Sequence, residues 1–267
     1  LPELPELEII AELLTVQLSG KTVKKTVVHN HIVVHGLPVS EFESNALGEQ
    51  FDSVRADGKF LILSMTNHDF VVNPMLTGRF KVFPRYKKPT SYDMVSIHTG
   101  EVTLWYSDAK KMGRIYLVAK GDYSQVAGFE DRGPSALDPE LTLEVFRERI
   151  KRHNGQIKNL LRNQRFVKGI GNAYADEILV YAGILPFRTR PTLNEDEVET
   201  LYHSMRKVLI RIRDIMSERA LEEIAIEKRD FLMVHNRGGA ICPLCGGRVS
   251  EVTANRFKTN YCQTCQK

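Results

Sequence analysis

Two CxxC pairs at the C-terminus, Cys242-Pro-Leu-Cys245 and Cys262-Gln-Thr-Cys265, set the tightest limit on how this chain can fold. Sixteen residues separate the pairs, which fits the four-cysteine zinc pattern. Four thiolates close a tetrahedron and leave no position open to substrate, so the one zinc ion expected here is structural rather than catalytic. The chain's four cysteines all belong to these pairs, an arrangement that suits a metal site in a reducing compartment better than a disulfide scaffold. The last segment, from about residue 237, has no helical period and takes its organisation from the cysteines. Within it Arg248, Arg256, Lys258 and Lys267 face only Glu251, a local excess of positive charge that can follow a phosphate backbone.

Upstream of the cysteines the hydrophobic period changes twice. Leu7, Ile10, Ala11, Leu14 and Leu18 recur at helical spacing between Pro5 and Ser19-Gly20, predicting an N-terminal helix. Residues 23–34, 60–65, 70–73, 94–98 and 102–106 are branched and aromatic runs broken by turn signals, predicting strands of a two-sheet sandwich. Asp131-Arg132-Gly133-Pro134-Ser135 reads as a linker, and beyond it the spacing is helical again. Leu143, Phe146 and Ile150 mark one helix, Ile157, Leu160 and Leu161 a second, and residues 172–182 a third. A long helix follows, with Thr192 and Glu195 as its candidate capping box and Val198, Leu201, Tyr202, Met205, Leu209 and Ile212 on its buried face. The expected class is therefore α+β in several domains: a sandwich with a flanking helix over 1–131, a helical domain over 132–236 and a zinc finger over 237–267.

A chain of 267 residues can bury a core in each of the two larger parts. Hydrophobic content of 42% and charged content of 26% are those of a soluble globular protein. No apolar run reaches membrane-spanning length, and the first twenty residues are amphipathic and acidic rather than signal-like, so a cytoplasmic place is expected. The net charge of +4 permits a nucleic-acid partner without demanding one.

Three positions carry chemistry of their own. If Leu1 is removed, Pro2 presents a secondary amine able to attack a sugar carbon and form an iminium, and Glu3 stands next to it as a proton carrier. The structural alternative is a proline near a chain start, with Pro5 fitting the first turn of the helix. Gly169-Ile170-Gly171-Asn172 opens a helix and can point N–H groups at an anion, or merely satisfy a tight turn. Lys59, in Asp57-Gly58-Lys59-Phe60, reads on its own as an exposed lysine at a strand end.

The Pro-Glu-Leu-Pro-Glu start, the Ile-Gly-Asn-Ala-Tyr-Ala segment at 170–175 and the terminal Tyr-Cys-x-x-Cys-Gln-Lys together resemble the formamidopyrimidine-DNA glycosylase and endonuclease VIII family of DNA-repair enzymes. The resemblance spans essentially the whole chain. It implies a bifunctional DNA glycosylase and abasic-site lyase that excises oxidised bases through a Schiff base on Pro2, followed by β- and δ-elimination. Glu3 is then the proton carrier, and Lys59 lies beside the proline and assists elimination. Asn172 of the helix-two-turns-helix element and Lys158 hold backbone phosphates. The resemblance also implies duplex DNA with damaged bases or abasic sites as the partner, and a protein that acts as a monomer.

A base must leave the stack before it can be excised, and side chains must fill the gap. Matching the family's loops gives Leu76, Lys110 and Met112 as these wedges, although Leu76 and Met112 could instead be core residues. Lysine and methionine replace the family's usual arginine and phenylalanine, which implies a looser reading of the opposite base. The family's zinc-finger arginine is replaced by Phe257, with Arg256 or Lys258 as substitutes. Between Arg219 and Val234 the longer loop of the formamidopyrimidine branch is missing, leaving the lesion open. The alternatives are an endonuclease VIII-like enzyme for oxidised pyrimidines, and a non-catalytic damaged-DNA-binding protein that keeps Leu1.

Overall fold

The computed structural model describes residues 2–84, 87–226, 228–254 and 257–267, so Leu1 and Arg256 lie outside the described residues. The chain forms two compact units, one of residues 1–131 with 216–228 and one of residues 132–215 with 229–267.

The first unit begins with α1 (Leu4–Leu18), and the residues expected on its apolar face, Leu7, Ile10, Ala11, Leu14 and Leu18, are all buried. Glu3 is its N-cap, with the Glu3 N–H donating to Glu6 Oε2 at 3.1 Å. The strands are β1 (Lys25–Val28), β2 (Val34–His35), β3 (Phe51–Asp57), β4 (Phe60–Met65), β5 (His68–Asn73), β6 (Gly78–Phe83), β7 (Asp93–His98), β8 (Thr103–Asp108) and β9 (Arg114–Ala119), with a short helix α2 (Val39–Ser44) after β2. They form a four-stranded sheet in the order β1-β7-β8-β6 and a five-stranded sheet in the order β2-β9-β5-β4-β3. Leu63, Phe70 and Ile115 from the larger sheet line one small apolar cavity with Phe80, Ile97 and Leu104 from the smaller, so the two inner faces meet as a sandwich.

The run predicted over 23–34 is not one strand. Asn30 Oδ1 accepts the Ile32 N–H at 3.2 Å and caps a 3-10 turn at His31–Val33, which separates β1 from β2. Strands β3, β6 and β9 are not among the expected runs; the partly exposed faces of β3 and β6 mix charged residues with apolar ones.

In the second unit α3 (Leu143–Ile150), α4 (Ile157–Arg162), α5 (Asn172–Ala182) and most of α6 (Glu195–Ser217) precede the hairpin β10 (Val249–Ala254) and β11 (Phe257–Cys262). The predicted linker is ordered from Arg132 on: the Gly133 N–H donates to Gln164 O at 2.8 Å, and the Lys168 N–H to Pro134 O at 2.9 Å. The capping box of α6 lies two residues later than expected. Asn194 Oδ1 accepts the Glu197 N–H and Glu197 Oε2 accepts the Asn194 N–H, both at 2.9 Å, whereas the Thr192 hydroxyl turns back to Thr189 O. A short helix α7 (Leu221–Ala225) belongs to the first unit, packed against α1 and β6.

Candidate active site and nucleic-acid interface

Pro2 is buried directly ahead of α1, and Glu3 is only 1% exposed. Burying a carboxylate is costly, and the head of a helix is where its charge meets favourable N–H dipoles. An acid is thus fixed next to the proline nitrogen by the same residues that start the helix. Lys59 occupies the two-residue turn Gly58-Lys59 that joins β3 to β4, with Asp57 paired to Phe60 across the hairpin. Gly58 takes φ +64°, the left-handed geometry such turns require.

Leu76 lies in the β5–β6 turn and Lys110 and Met112 in the β8–β9 loop. Leu76 is 39% and Met112 44% exposed, so neither is a core residue. Register brings the two loops together, since β6 pairs with β8 from Gly78 opposite Asp108. Asp108, fully buried, ties them to each other. Its Oδ1 accepts the Thr77 hydroxyl and the Lys110 N–H, the latter at 3.2 Å, while Oδ2 accepts the N–H groups of Met112 at 2.8 Å and Gly113 at 2.7 Å. The neighbouring Tyr106 ring closes the base of both loops: a Cβ on Gly113 would lie 1.9 Å from its hydroxyl, and one on Gly78 would lie 2.4 Å from it. Burial first, and the Asp108 carboxylate second, push the Tyr106 phenol well above its usual range, so it stays neutral. Sequence reading missed Asp108, because its role depends on strand register rather than on any local motif.

In the second unit Gln164 braces the turn before α5, accepting the Gly169 N–H and donating to Ile170 O, both at 2.9 Å. Asn172, the first residue of α5, donates through Nδ2 to Lys258 O at 2.9 Å. Lys158 is 4% exposed; its ammonium lies 2.7 Å from Asp176 Oδ1 and donates to Lys258 O at 3.0 Å and Thr259 Oγ1 at 2.8 Å. The ammonium is thus held by an ion pair and two hydrogen bonds inside the unit. Asp176 Oδ2 in turn accepts from His235 Nδ1 at 2.8 Å and the Asn260 N–H at 3.2 Å. Glu177 beside it accepts three backbone N–H groups, from Met233, Val234 and His235, so a buried polar network docks the finger on α5. Lys258 is exposed, with Nζ 2.8 Å from Glu251 Oε1.

The four cysteine sulfurs all lie within 4.8 Å of one another, with Cys242 to Cys265 at 3.7 Å and Cys245 to Cys262 at 3.5 Å. Zinc–sulfur bonds of about 2.3 Å in a tetrahedron place sulfurs about 3.8 Å apart, so the cluster fits a four-coordinate metal ion. The chain's end is strapped to the same unit: Gln266 Nε2 donates to Ile184 O at 2.7 Å, and the Lys267 N–H to Gly183 O at 3.0 Å.

Comparison with known proteins decides the family. The formamidopyrimidine-DNA glycosylase N-terminal domain matches residues 1–115, and the H2TH domain of the same glycosylase matches residues 132–217. A formamidopyrimidine-DNA glycosylase of Symbiobacterium thermophilum is 30% identical across the full chain and 89% of its own length. The chain belongs to the formamidopyrimidine-DNA glycosylase family. A second member, from Carboxydothermus hydrogenoformans, is 28% identical over the whole of both chains. The fold matches that of Lactococcus lactis Fpg (MutM), solved in complex with DNA containing FAPY-dG, at a TM-score of 0.88 and 21% identity over 99% of this chain and 100% of that one. Among the described residues no helix is long and apolar enough to cross a membrane.

Within this glycosylase fold the residue at the finger's departure point, Phe257, is 47% exposed and carries a cation on its ring: Arg162 Cζ sits 3.9 Å from the ring centroid. Sequence reading missed Arg162. The available signal was its spacing, four residues after Lys158 and hence on the same helix face.

Proposed function

We propose that the protein is a base-excision-repair DNA glycosylase and abasic-site lyase acting on oxidised bases in duplex DNA, with Pro2, Glu3 and Lys59 as its catalytic residues. Pro2 must be the first residue of the active protein, since acylation by Leu1 would delocalise its lone pair into an amide. The free amine attacks C1′ of the damaged nucleoside, the C1′–N bond breaks, and the base departs with a proton relayed by Glu3. The sugar ring then opens as the C1′–O4′ bond breaks and O4′ takes a proton from Glu3, which leaves an iminium at C1′ that acidifies the C2′ hydrogen. Loss of that proton expels the 3′ phosphate, a second elimination assisted by Lys59 expels the 5′ phosphate, and hydrolysis of the imine restores the proline.

Leu76, Lys110 and Met112 fill the gap left by the everted base, and Asp108 positions the loops that carry them. Lysine and methionine recognise the opposite base less strictly than a planar guanidinium and a flat ring would. Asn172 and Lys258 form the edge that faces the DNA backbone, joined by Arg256, which is outside the described residues, with the buried Lys158 ammonium adding positive charge behind them. In this reading 1–131 carry the chemistry, 132–236 and 237–267 hold the duplex, and the monomer works in the cytoplasm where the chromosome lies. One zinc ion on Cys242, Cys245, Cys262 and Cys265 supplies folding energy to the finger and no reaction step.

The observation that carries the reading is the Pro2-Glu3 pair at the head of α1, with the acid buried and helix-capped, in a chain that belongs to this glycosylase family along its full length. Incubation with duplexes bearing a formamidopyrimidine or an oxidised pyrimidine tests it. Release of the free base, with a phosphate left on both sides of the gap, is expected. Tight binding without base release would overturn it in favour of a damaged-DNA-binding protein.

A further inference from the structure

Beside the finger a groove is lined by Gln156, Asn159, Arg162, Phe187 and Phe257, with Lys158 and Thr259 beneath. Lys158 gives it a positive floor, its buried ammonium paired with Asp176 and bonded to Lys258 O and Thr259 Oγ1. Lys258 has Glu251 as its nearest countercharge. The cation at the groove wall is Arg162, at the end of α4 and only partly buried. Its guanidinium lies over the face of Phe257, the first residue of β11. A guanidinium stacked on a ring keeps its N–H edge in its own plane, away from the ring, with the planar fork that matches a phosphate. Contact with the ring restricts the Arg162 side chain and lowers the entropy lost on engaging a phosphate.

We infer that Arg162, held by Phe257, is a phosphodiester-contacting residue of this protein, so that the helical segment rather than the finger hairpin supplies the guanidinium at this edge. This rests on the DNA-binding reading above and deepens it. Phe257 is then a positioning residue, and its substitution for arginine in the finger is compensated from α4.

The test is the salt dependence of binding to a duplex containing a tetrahydrofuran abasic analogue, measured on zinc-replete full-length protein. Each phosphate contact contributes a slope of about −0.9 in log K against log salt on B-DNA. Arg162→Ala should reduce the slope by about 1 and weaken binding roughly tenfold at moderate salt, with zinc content and Tm kept near wild type. Phe257→Ala should weaken binding while keeping the slope, since charge remains but its orientation is lost. Adding Phe257→Arg to Arg162→Ala should restore the slope, an effect that a merely structural role for Arg162 would not produce. An unchanged slope in Arg162→Ala, or no restoration by Phe257→Arg, overturns the inference. Borohydride trapping on natural abasic DNA is run alongside: its failure in the wild type refutes the enzymatic reading while the slopes remain readable.

Discussion

Replacing Asp108 with alanine probes how far the two wedge loops depend on one carboxylate. The side chain is fully buried and accepts the Thr77 hydroxyl and three backbone N–H groups, of Lys110, Met112 and Gly113. Removing it strands the Gly113 donor in the interior at about 1–3 kcal/mol, whereas the Lys110 N–H keeps its 2.9 Å bond to the Thr77 hydroxyl and the Met112 N–H, on an exposed residue, recovers water, at about 0.5–1.5 kcal/mol together. Losing the Thr77 bond adds about 1 kcal/mol, and relief of the carboxylate's own desolvation subtracts a similar amount. The net is about 1.5–4.5 kcal/mol for Asp108→Ala. Asp108→Asn keeps one acceptor and turns a donor toward the Lys110 N–H, for roughly half that loss. Urea denaturation with unchanged m should show it as a lower midpoint. Binding to abasic-analogue duplex, measured well below the melting range, should weaken as well, because Leu76, Lys110 and Met112 lose their common anchor. An unfolding free energy for Asp108→Ala within about 0.5 kcal/mol of wild type, the range of ordinary surface substitutions, would refute the anchor role.

Three further outcomes follow from the same geometry. Burial works against ionisation of Asp93, but bonds from Lys87, Ser107 and Thr90 prevail and hold its pKa at about 2 against an ordinary 3.8. A depressed folded pKa contributes stability that is complete above the ordinary value and is lost as pH falls through about 2; by linkage it is about 2 kcal/mol. Asp93→Asn should therefore flatten the fall of stability with acid, seen as Tm against pH, and an unchanged profile would contradict it. Cys242→Ser or Cys262→Ser should release zinc and sharply weaken DNA binding while the 1–131 unit stays folded; metal analysis finding no near-stoichiometric zinc in the wild type would refute the site. Asn172→Ala should weaken binding to damaged and undamaged duplexes by similar factors, since phosphate contacts do not read sequence, and a loss confined to damaged DNA would contradict that role.

How much of this could be read from the sequence depended on whether the determining contact was local. α1 was plain, because an apolar face at 3.6 spacing needs no knowledge of its partner, and the cysteine spacing alone defined the metal cluster. Strands β3 and β6 were hidden, because half of each is exposed and no alternation survives. The box at Asn194 and Glu197 was displaced in reading by a Thr192 whose hydroxyl prefers its own 3-10 turn. Asp108 and Arg162 act through the β6–β8 register and through a ring far along the chain, so neither has a local signature. Lys158 was expected at a phosphate, yet its surroundings give it an internal carboxylate, which no spacing discloses.

The central claim is that the nucleophile is the amine of Pro2. Borohydride trapping on abasic duplex DNA, followed by digestion and mass spectrometry of the cross-linked peptide, tests it most directly. The account predicts a protein that begins at Pro2, with the sugar remnant on that residue's nitrogen and Lys59 unmodified. An adduct on Lys59 or another lysine, in protein that retains Leu1, would contradict it.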